Sequence, residues 1–398
     1  MNLELNLDEK FIFPARLKTI SFALIIAGLI GMITGYLMYQ GDDNGKRFWA
    51  NLLLDAIFFQ GLTMGCAFFQ AAIYVAYGGW SVALKRVPEA AGMFLPFSAV
   101  ILLLVLATGC SHLYEWTDPN VVAHDPIIAG KTGYLNLPFF FIRFFFFVGI
   151  LTALMFLMRK NSLKEDIDGG LTHYRNNLKW ASVFLVFFAV YILVTAWDWI
   201  MSLDVHWYST MYGWYSFSSF WVTAIAVITL IVVYLKRKGY LSIVNENHLH
   251  DLGKLMFAFS IFWTYLIFDQ FMLIWYANIP EETEYFRQRY DHVMGLFYTN
   301  FILNFCAPFL ILMSRDAKRK MTWLIIASWI IIIGHFLDFY LMVMPSSLGD
   351  KAGIGIMELL APLFFAGLFI YVVFTNLSRA PLVARHHPFL GESLHHTT

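Results

Sequence analysis

Ten stretches of about twenty predominantly apolar residues, each long enough to cross a hydrocarbon core about 30 Å thick, follow one another along the chain. They lie near 19–38, 49–76, 93–112, 137–158, 180–201, 212–235, 255–276, 293–313, 321–342 and 354–374. Hydrocarbon offers no partner to backbone N–H and C=O groups, so a crossing segment must be a helix or belong to a closed barrel. Runs this long and continuous fit helices, and the sequence predicts an all-α polytopic membrane protein, one integral membrane domain over 1–398. The balance of 59% hydrophobic to 14% charged residues agrees, since soluble domains carry roughly 25% charged residues.

The cationic residues test this segmentation. With ten spans, the termini and the even-numbered connections share one side, and twenty of the 27 Lys and Arg fall there, among them Lys85, Arg86, Arg159, Lys160, Lys236, Arg237, Arg315 and Lys320. Only Lys46, Arg47, Lys131, Arg287, Arg289 and Lys351 fall opposite, and Arg143 lies inside a span. The positive-inside rule therefore puts both termini in the cytoplasm. The connections, 111–136 and 277–292 included, are too short for a soluble domain. A formal net charge of zero gives no reason to expect nucleic acid. Cys66, Cys110 and Cys306 each lie in an apolar run without a CxxC and read as packing residues. The N-terminal run lacks a small-residue cleavage site and reads as a retained helix.

Charges inside spans are costly and mark function or pairing. Asp55, Arg143, Asp198, Asp269, His335, Asp338 and Glu358 all fall in the outer halves of their spans, and no charge is expected in any inner half. Three helices carry polar stripes at helical spacing: Thr108, His112 and Glu115; Tyr191, Thr195, Asp198 and Ser202; Ser328, His335 and Asp338. These stripes are expected to face a bundle interior, and Tyr265 is placed to donate to Asp269. Plainer readings stand beside these. Trp197, Trp199, Trp207, Tyr208, Trp214 and Tyr215 suit an interfacial aromatic belt. Arg143 suits a counter-ion for an outer carboxylate. His335 with Asp338 is either a structural pair or a proton-handling one. Asp204 and His206 suit a solvated loop, and His112 and Glu115 suit a loop or a site equally. Too few buried histidines are present to ligate a transmembrane haem pair, and no metal-ligand spacing occurs.

The stretches "AWDWIMSLDVHWYSTMYGWY", "GLTMGCAFFQAAIYVAYGGW" and "HFLDFYLMVMP", together with the ten-span layout, resemble the ActF-type membrane subunits of bacterial alternative complex III. These are similar to the NrfD-like, polysulfide-reductase-type membrane subunits. The resemblance covers nearly the whole chain. It implies two four-helix bundles, 49–201 and 212–342, with 1–38 and 354–398 as flanking helices and tails. "TAWDWIMS" and "GHFLDFYLM" then become equivalent stretches of the fifth and ninth spans. It further implies a bacterial inner-membrane subunit of a quinol:cytochrome c or quinol:oxidase complex. The partners would be a homologous membrane subunit, an iron-sulfur subunit, c-type cytochromes, a terminal oxidase and lipid. Haem and iron-sulfur clusters would then sit in the partners and none would be covalently bound here, quinol or quinone being the one small molecule to consider.

Quinol oxidation releases protons with its electrons, so bases toward the exit side are required. Asp198, Asp269, His335 and Asp338, with the hydroxyls of Tyr191, Thr195 and Ser328, are the proton-handling candidates. Arg143, His112 and Glu115 are candidates for charge balance or a quinol pocket. A proton-coupled secondary transporter and a scaffold without a site of its own are the competing classes. The topology is directly testable: alkaline phosphatase fused after Tyr208 or Asn278 is expected to be active, and fused after Lys238 or Arg315 inactive. The reverse pattern would invert the orientation.

Overall fold

A computed structural model describes residues 8–41 and 45–397. Ten helices long and apolar enough to cross a membrane are found among them: α1 (Ala15–Tyr39), α2 (Lys46–Val75), α3 (Arg86–Leu113), α4 (Leu137–Asp168), α5 (Thr172–Leu203), α6 (Tyr212–Arg237), α7 (Glu246–Ala277), α8 (Pro280–Leu312), α9 (Met321–Lys351) and α10 (Ile356–Ser378). Each sequence-read span falls on one of them. We call the face where α1 begins and α10 ends the terminal face, and the opposite one the distal face.

The helices run alternately up and down. One bundle joins α2 to α3 and α5, and α4 to α5; the second joins α6 to α7 and α9, and α8 to α9. The bundles meet where α2 crosses α6 and α9, and α5 touches α6. A helix apolar on every side can be surrounded by lipid or by other helices. Both α2 and α6 are buried nearly all round, and they form the common core. Gly61 and Gly65 of α2 lie against Phe220 and Ala224 of α6, which lets the two backbones approach closely.

Outside the bundles, α1 packs along α10. Without a hydrophobic drive between helices in lipid, close packing has to hold such a pair. Gly28, Gly31 and Gly35 are buried while neighbouring Ile26, Ile30 and Ile33 are exposed to the surroundings. A Cβ on Gly28 would come within 2.2 Å of the Phe364 backbone nitrogen, so only glycine fits that crossing. α10 in turn leans on α2 and the start of α3.

Connections are capped as their sequences dictate. Asn136 accepts from the Phe139 N–H at 3.0 Å to start α4, and Asn245 forms a capping box with His248 to start α7. On the distal face, Asp118 and Asp125 cap two one-and-a-half-turn helices, each opened by a proline.

α3 and α4 extend further toward the terminal face than their apolar runs, and there the structure departs from the sequence reading. Inner-half charge is present and buried: Glu89 accepts from Arg86 (2.7 Å), Arg159 (2.6 Å) and Ser162 (2.5 Å). Lys85 reaches Glu165 at 3.2 Å, and Arg86 also pairs with Asp166. Residues that hydropathy assigns to solvated loops are therefore an ion network that ties α3 to α4.

The chain beyond α10 folds back over this network. The Arg385 N–H donates to Asp166 at 3.1 Å, and Ser393 both donates to the Trp80 carbonyl (2.8 Å) and accepts from the Ala83 N–H (3.0 Å). Asn245 at the start of α7 donates to the His396 carbonyl at 3.0 Å, so the tail straps both bundles together. His387 is enclosed by Tyr74, Tyr174 and Phe389. Burial, with Lys85 and Arg86 adding to it against Glu89, pushes its imidazole down to about 2. The docked tail thus holds His387 neutral, whereas a released His titrates near 6.5. Docking strength is complete above pH 6.5 and falls as the pH drops below it, by up to about tenfold per pH unit. Proteolysis of the tail is accordingly expected to rise about tenfold from pH 7.5 to 5.5, and His387→Gln to flatten that rise.

Candidate functional site

Two buried polar clusters occupy the distal half, one in each bundle and each beside a π turn. A π turn inserts one residue into the helical ladder and re-aims the side chains around it. In α5 the turn is Ala196–Ile200 and contains Asp198. In α8 it is Ile302–Cys306 and contains Asn304.

In the first bundle, Arg143 of α4 grips Asp198 with two parallel hydrogen bonds, Nε to Oδ2 at 2.7 Å and Nη2 to Oδ1 at 3.0 Å. Its third nitrogen donates to the Tyr134 carbonyl at 3.1 Å. The guanidinium lies 3.9 Å from the Tyr134 ring centre and 4.2 Å from that of Phe139. Planarity, a fork of donors and weak hydration suit arginine to this setting better than lysine. Within "FFFIRFFFF", Ile142 and Phe145 face outward while Arg143 is buried. Tyr114, just past the end of α3, anchors the π turn by donating to the Trp199 carbonyl at 2.8 Å.

Above this pair, on the distal face, opens a cavity of about 370 Å³ lined by Lys131, Tyr134, Trp197, Ser202, Asp204 and Tyr208 among others. That volume falls in the range of small-molecule sites. Burial lowers the Lys131 ammonium against the pull of Asp204 and Asp125. The Tyr134 phenol is raised by burial and by Asp198 beside it. At the rim, His206 meets Asp125 at 2.6 Å. Asp125 is held below its ordinary value, first by the backbone N–H of Ile128.

The second bundle answers the same problem without arginine. Asp338 of α9 is fully buried and accepts from Tyr215 of α6, from Trp263 Nε1 of α7 at 2.8 Å and from Asn300 Nδ2 of α8 at 2.8 Å. Asn304 donates to Asn300 Oδ1 at 2.6 Å. One turn before Asp338, His335 Nδ1 stands 3.8 Å from Asp338 Oδ2 and 3.0 Å from the Ser219 hydroxyl. His335 Nε2 and Asn304 Oδ1 are buried and have no protein partner. Arg289 is turned away to the Tyr285 carbonyl (2.7 Å) and Ser346 (3.0 Å), over the Tyr285 ring.

The clusters occupy equivalent positions. Arg143 on α4 and Asn300 on α8 each reach across to an acid on the next helix, Asp198 or Asp338. Thr195 and His335 each precede that acid by three residues.

Not every expected residue gathers here. The acids and His335 do not converge in one pocket; they divide between the two bundles. Asp269 is half-buried and outside both clusters, and Tyr265, expected to donate to it, is 60% exposed. The α3 stripe does not face inward: Thr108 and Glu115 are exposed, and His112 stacks on Trp49 with centroids 5.6 Å apart at the edge of α2. Tyr191 is buried, Thr195 donates back to its carbonyl at 2.7 Å, and Ser328 is buried two turns below His335. The belt reading divides too, since Tyr208 and Trp214 are exposed while Trp199, Trp207 and Tyr215 are buried.

Three further acids have partners that hydropathy does not register. Glu358 of α10 accepts from Arg47 Nη2 at 2.7 Å and Asn51 Nδ2 at 3.2 Å on α2, and Glu89 and Glu165 sit in the terminal-face network. Asp55 is buried on α2, with one carboxyl oxygen unpartnered. Asn300 and Asn304, four residues apart in an apolar run, are the signal that would have found the second cluster. Among the described residues no group of three or more His, Cys, Asp or Glu is arranged to hold a metal ion.

Breaking a buried ion pair from one side strands a charge and costs about 3–5 kcal/mol. Arg143→Leu is expected to destabilise the protein by that amount, and Arg143→Met with Asp198→Leu to recover most of it, read as denaturation midpoints in detergent. Comparison of the chain with protein-family models and with curated proteins finds no match.

Proposed function

We propose that the chain is an ActF-like membrane subunit of a quinol-oxidising electron-transfer complex, and that its second bundle handles protons released there. The observation that carries this reading is the contrast between two equivalent acids. Asp198 is closed off by a bidentate arginine, whereas Asp338 is held by three neutral donors and an imidazole. An arginine-locked carboxylate has little freedom to exchange a proton, because its counter-charge is fixed. A carboxyl beside an imidazole can pass one, with Tyr215 and Ser219 as hydroxyl neighbours.

The route leads on from there. His335 Nε2, Asn304 Oδ1 and the Ser260 hydroxyl are buried polar atoms without protein partners, available as relay positions on the terminal side of Asp338. The distal cavity above Arg143 and Asp198 is of suitable size for a quinol ring. With the distal face periplasmic, as the positive-inside rule assigns it, protons from a quinol in that cavity would leave to the periplasm, while the relay atoms would connect Asp338 toward the cytoplasmic side. Partners of the complex class would carry the haem and iron-sulfur centres.

A proton-coupled transporter is the second reading, favoured by the π turns that interrupt α5 and α8. Purification separates the two, because only a complex subunit travels with haem and iron-sulfur partners. Within the assembled complex, Asp338→Asn keeps a hydrogen-bonding side chain in place but removes the proton acceptor. Quinol-dependent turnover is expected to fall about a hundredfold, the low end of what a positioned acid or base contributes. Haem content and assembly should be unchanged. Turnover and proton release at the unsubstituted rates would refute the assignment.

A further inference from the structure

On the flank away from both polar clusters, α2, α6, α9 and α10 leave between them a groove of about 390 Å³. Phe58 and Val227 line its deep end, Trp329 and Phe369 its sides, and Tyr234 and Arg237 its end at the terminal face. Arg237 is the one charged residue in the lining and is exposed. Trp329 is 54% exposed, so the groove opens sideways, toward the surroundings of the helices.

We propose that this groove is a specific site for one anionic glycerophospholipid, with its phosphate on Arg237 and one acyl chain along the groove floor. Length is the first reason. From Val227 to Arg237 the α6 wall rises about 15 Å at 1.5 Å per residue, which is one leaflet, half of a core about 30 Å thick. A single acyl chain is therefore matched end to end. Charge is the second. The cation stands where that leaflet meets water, the depth of a phosphodiester, and arginine's fork of donors fits phosphate.

The third reason is the construction of the mouth. Phe374, beside Tyr234 at 5.5 Å, is packed by Phe11 and Phe13 of the segment before α1. That segment brings Lys10 and Arg16 to the same face, adding to the attraction for an anionic headgroup. A quinone suits the site less well, because its two carbonyl oxygens would find no buried donor at the groove's deep end. This site is independent of the proton-handling reading and stands or falls separately.

The test uses the protein extracted with its natural partners and exchanged into nanodiscs of mixed dioleoylphosphatidylglycerol and dioleoylphosphatidylcholine, with lipid retained after release counted by native mass spectrometry. One phosphatidylglycerol per chain is expected to remain in preference to phosphatidylcholine. Arg237→Gln should reduce that preference about fivefold, the weight of one interfacial cation, and Arg237→Lys should restore part of it. Ala366→Trp, which fills the floor, should expel both lipids. If it fails to fold, the two Arg237 variants decide the matter alone. Equal retention of both lipids in every variant, a retained quinone, or a partner's helix crosslinked into the groove would each overturn the proposal.

Discussion

Hydrocarbon offers a buried carboxylate nothing, and three acids in this chain, Asp198, Asp338 and Glu358, find their donors on neighbouring helices. That requirement, together with the close glycine packing of α1 on α10 and α2 on α6, fixes which helices stand side by side. Arg143 with Asp198 sets α4 against α5, Asn300 with Asp338 sets α8 against α9, and Arg47 with Glu358 sets α2 against α10. Each is a polar contact between surfaces that Leu, Ile and Phe could cover in many registers. An ion pair or a caged carboxyl admits one register, because a shift of one residue turns the partner away by about 100° on a helix of 3.6 residues per turn.

The two bundles use this constraint to different ends. Their acids sit at matching places, yet the first is neutralised by a fixed cation and the second by hydrogen bonds alone. Fixed charge compensation rigidifies; neutral compensation leaves the charge state free to follow a proton. Trp263 and Tyr215 add to the difference. An indole N–H can only donate, while a phenol can donate or accept. The same carboxyl therefore has one permanent donor and one adaptable neighbour, with His335 alongside. Tyr114, holding the first π turn through the Trp199 carbonyl, has no such latitude, since a backbone oxygen only accepts.

Much of this was legible in the sequence and part of it was not, for physical reasons. Ten helices follow from hydropathy because the bilayer acts on each span separately. Arg143 as a counter-ion follows from the cost of a lone cation in a phenylalanine run, though nothing local identified Asp198 as its mate. The division of the acids was hidden because the α8–α9 contact is carried by asparagines, Asn300 and Asn304, which no charge count registers. Asp269 misled because an acid at the outer end of a helix can point to the headgroup region and need no partner. Lys85, Arg86 and Arg159 misled in the opposite sense. They satisfy a rule about loops while being buried under the chain's own tail.

That tail explains how the terminal face tolerates so much buried charge. Glu89 has three donors in reach and Arg86 two carboxylates, so the network is nearly self-satisfied. Removing Glu89 would leave Arg159 without its carboxylate, the costly case for a buried pair. Covering it from the aqueous side, residues 380–396 exclude water without entering the bilayer, and their histidines and serine hydrogen-bond to both bundles. The distal half places its polar groups between helices in two small clusters, each closed by donors from neighbouring helices. The terminal half places its ions where two helices outrun their apolar segments, and there they act as a clamp. The terminal network thus sets a permanent cation against each acid, as do Arg143 with Asp198 and Arg47 with Glu358 at the distal end, whereas Asp338 is held by neutral donors.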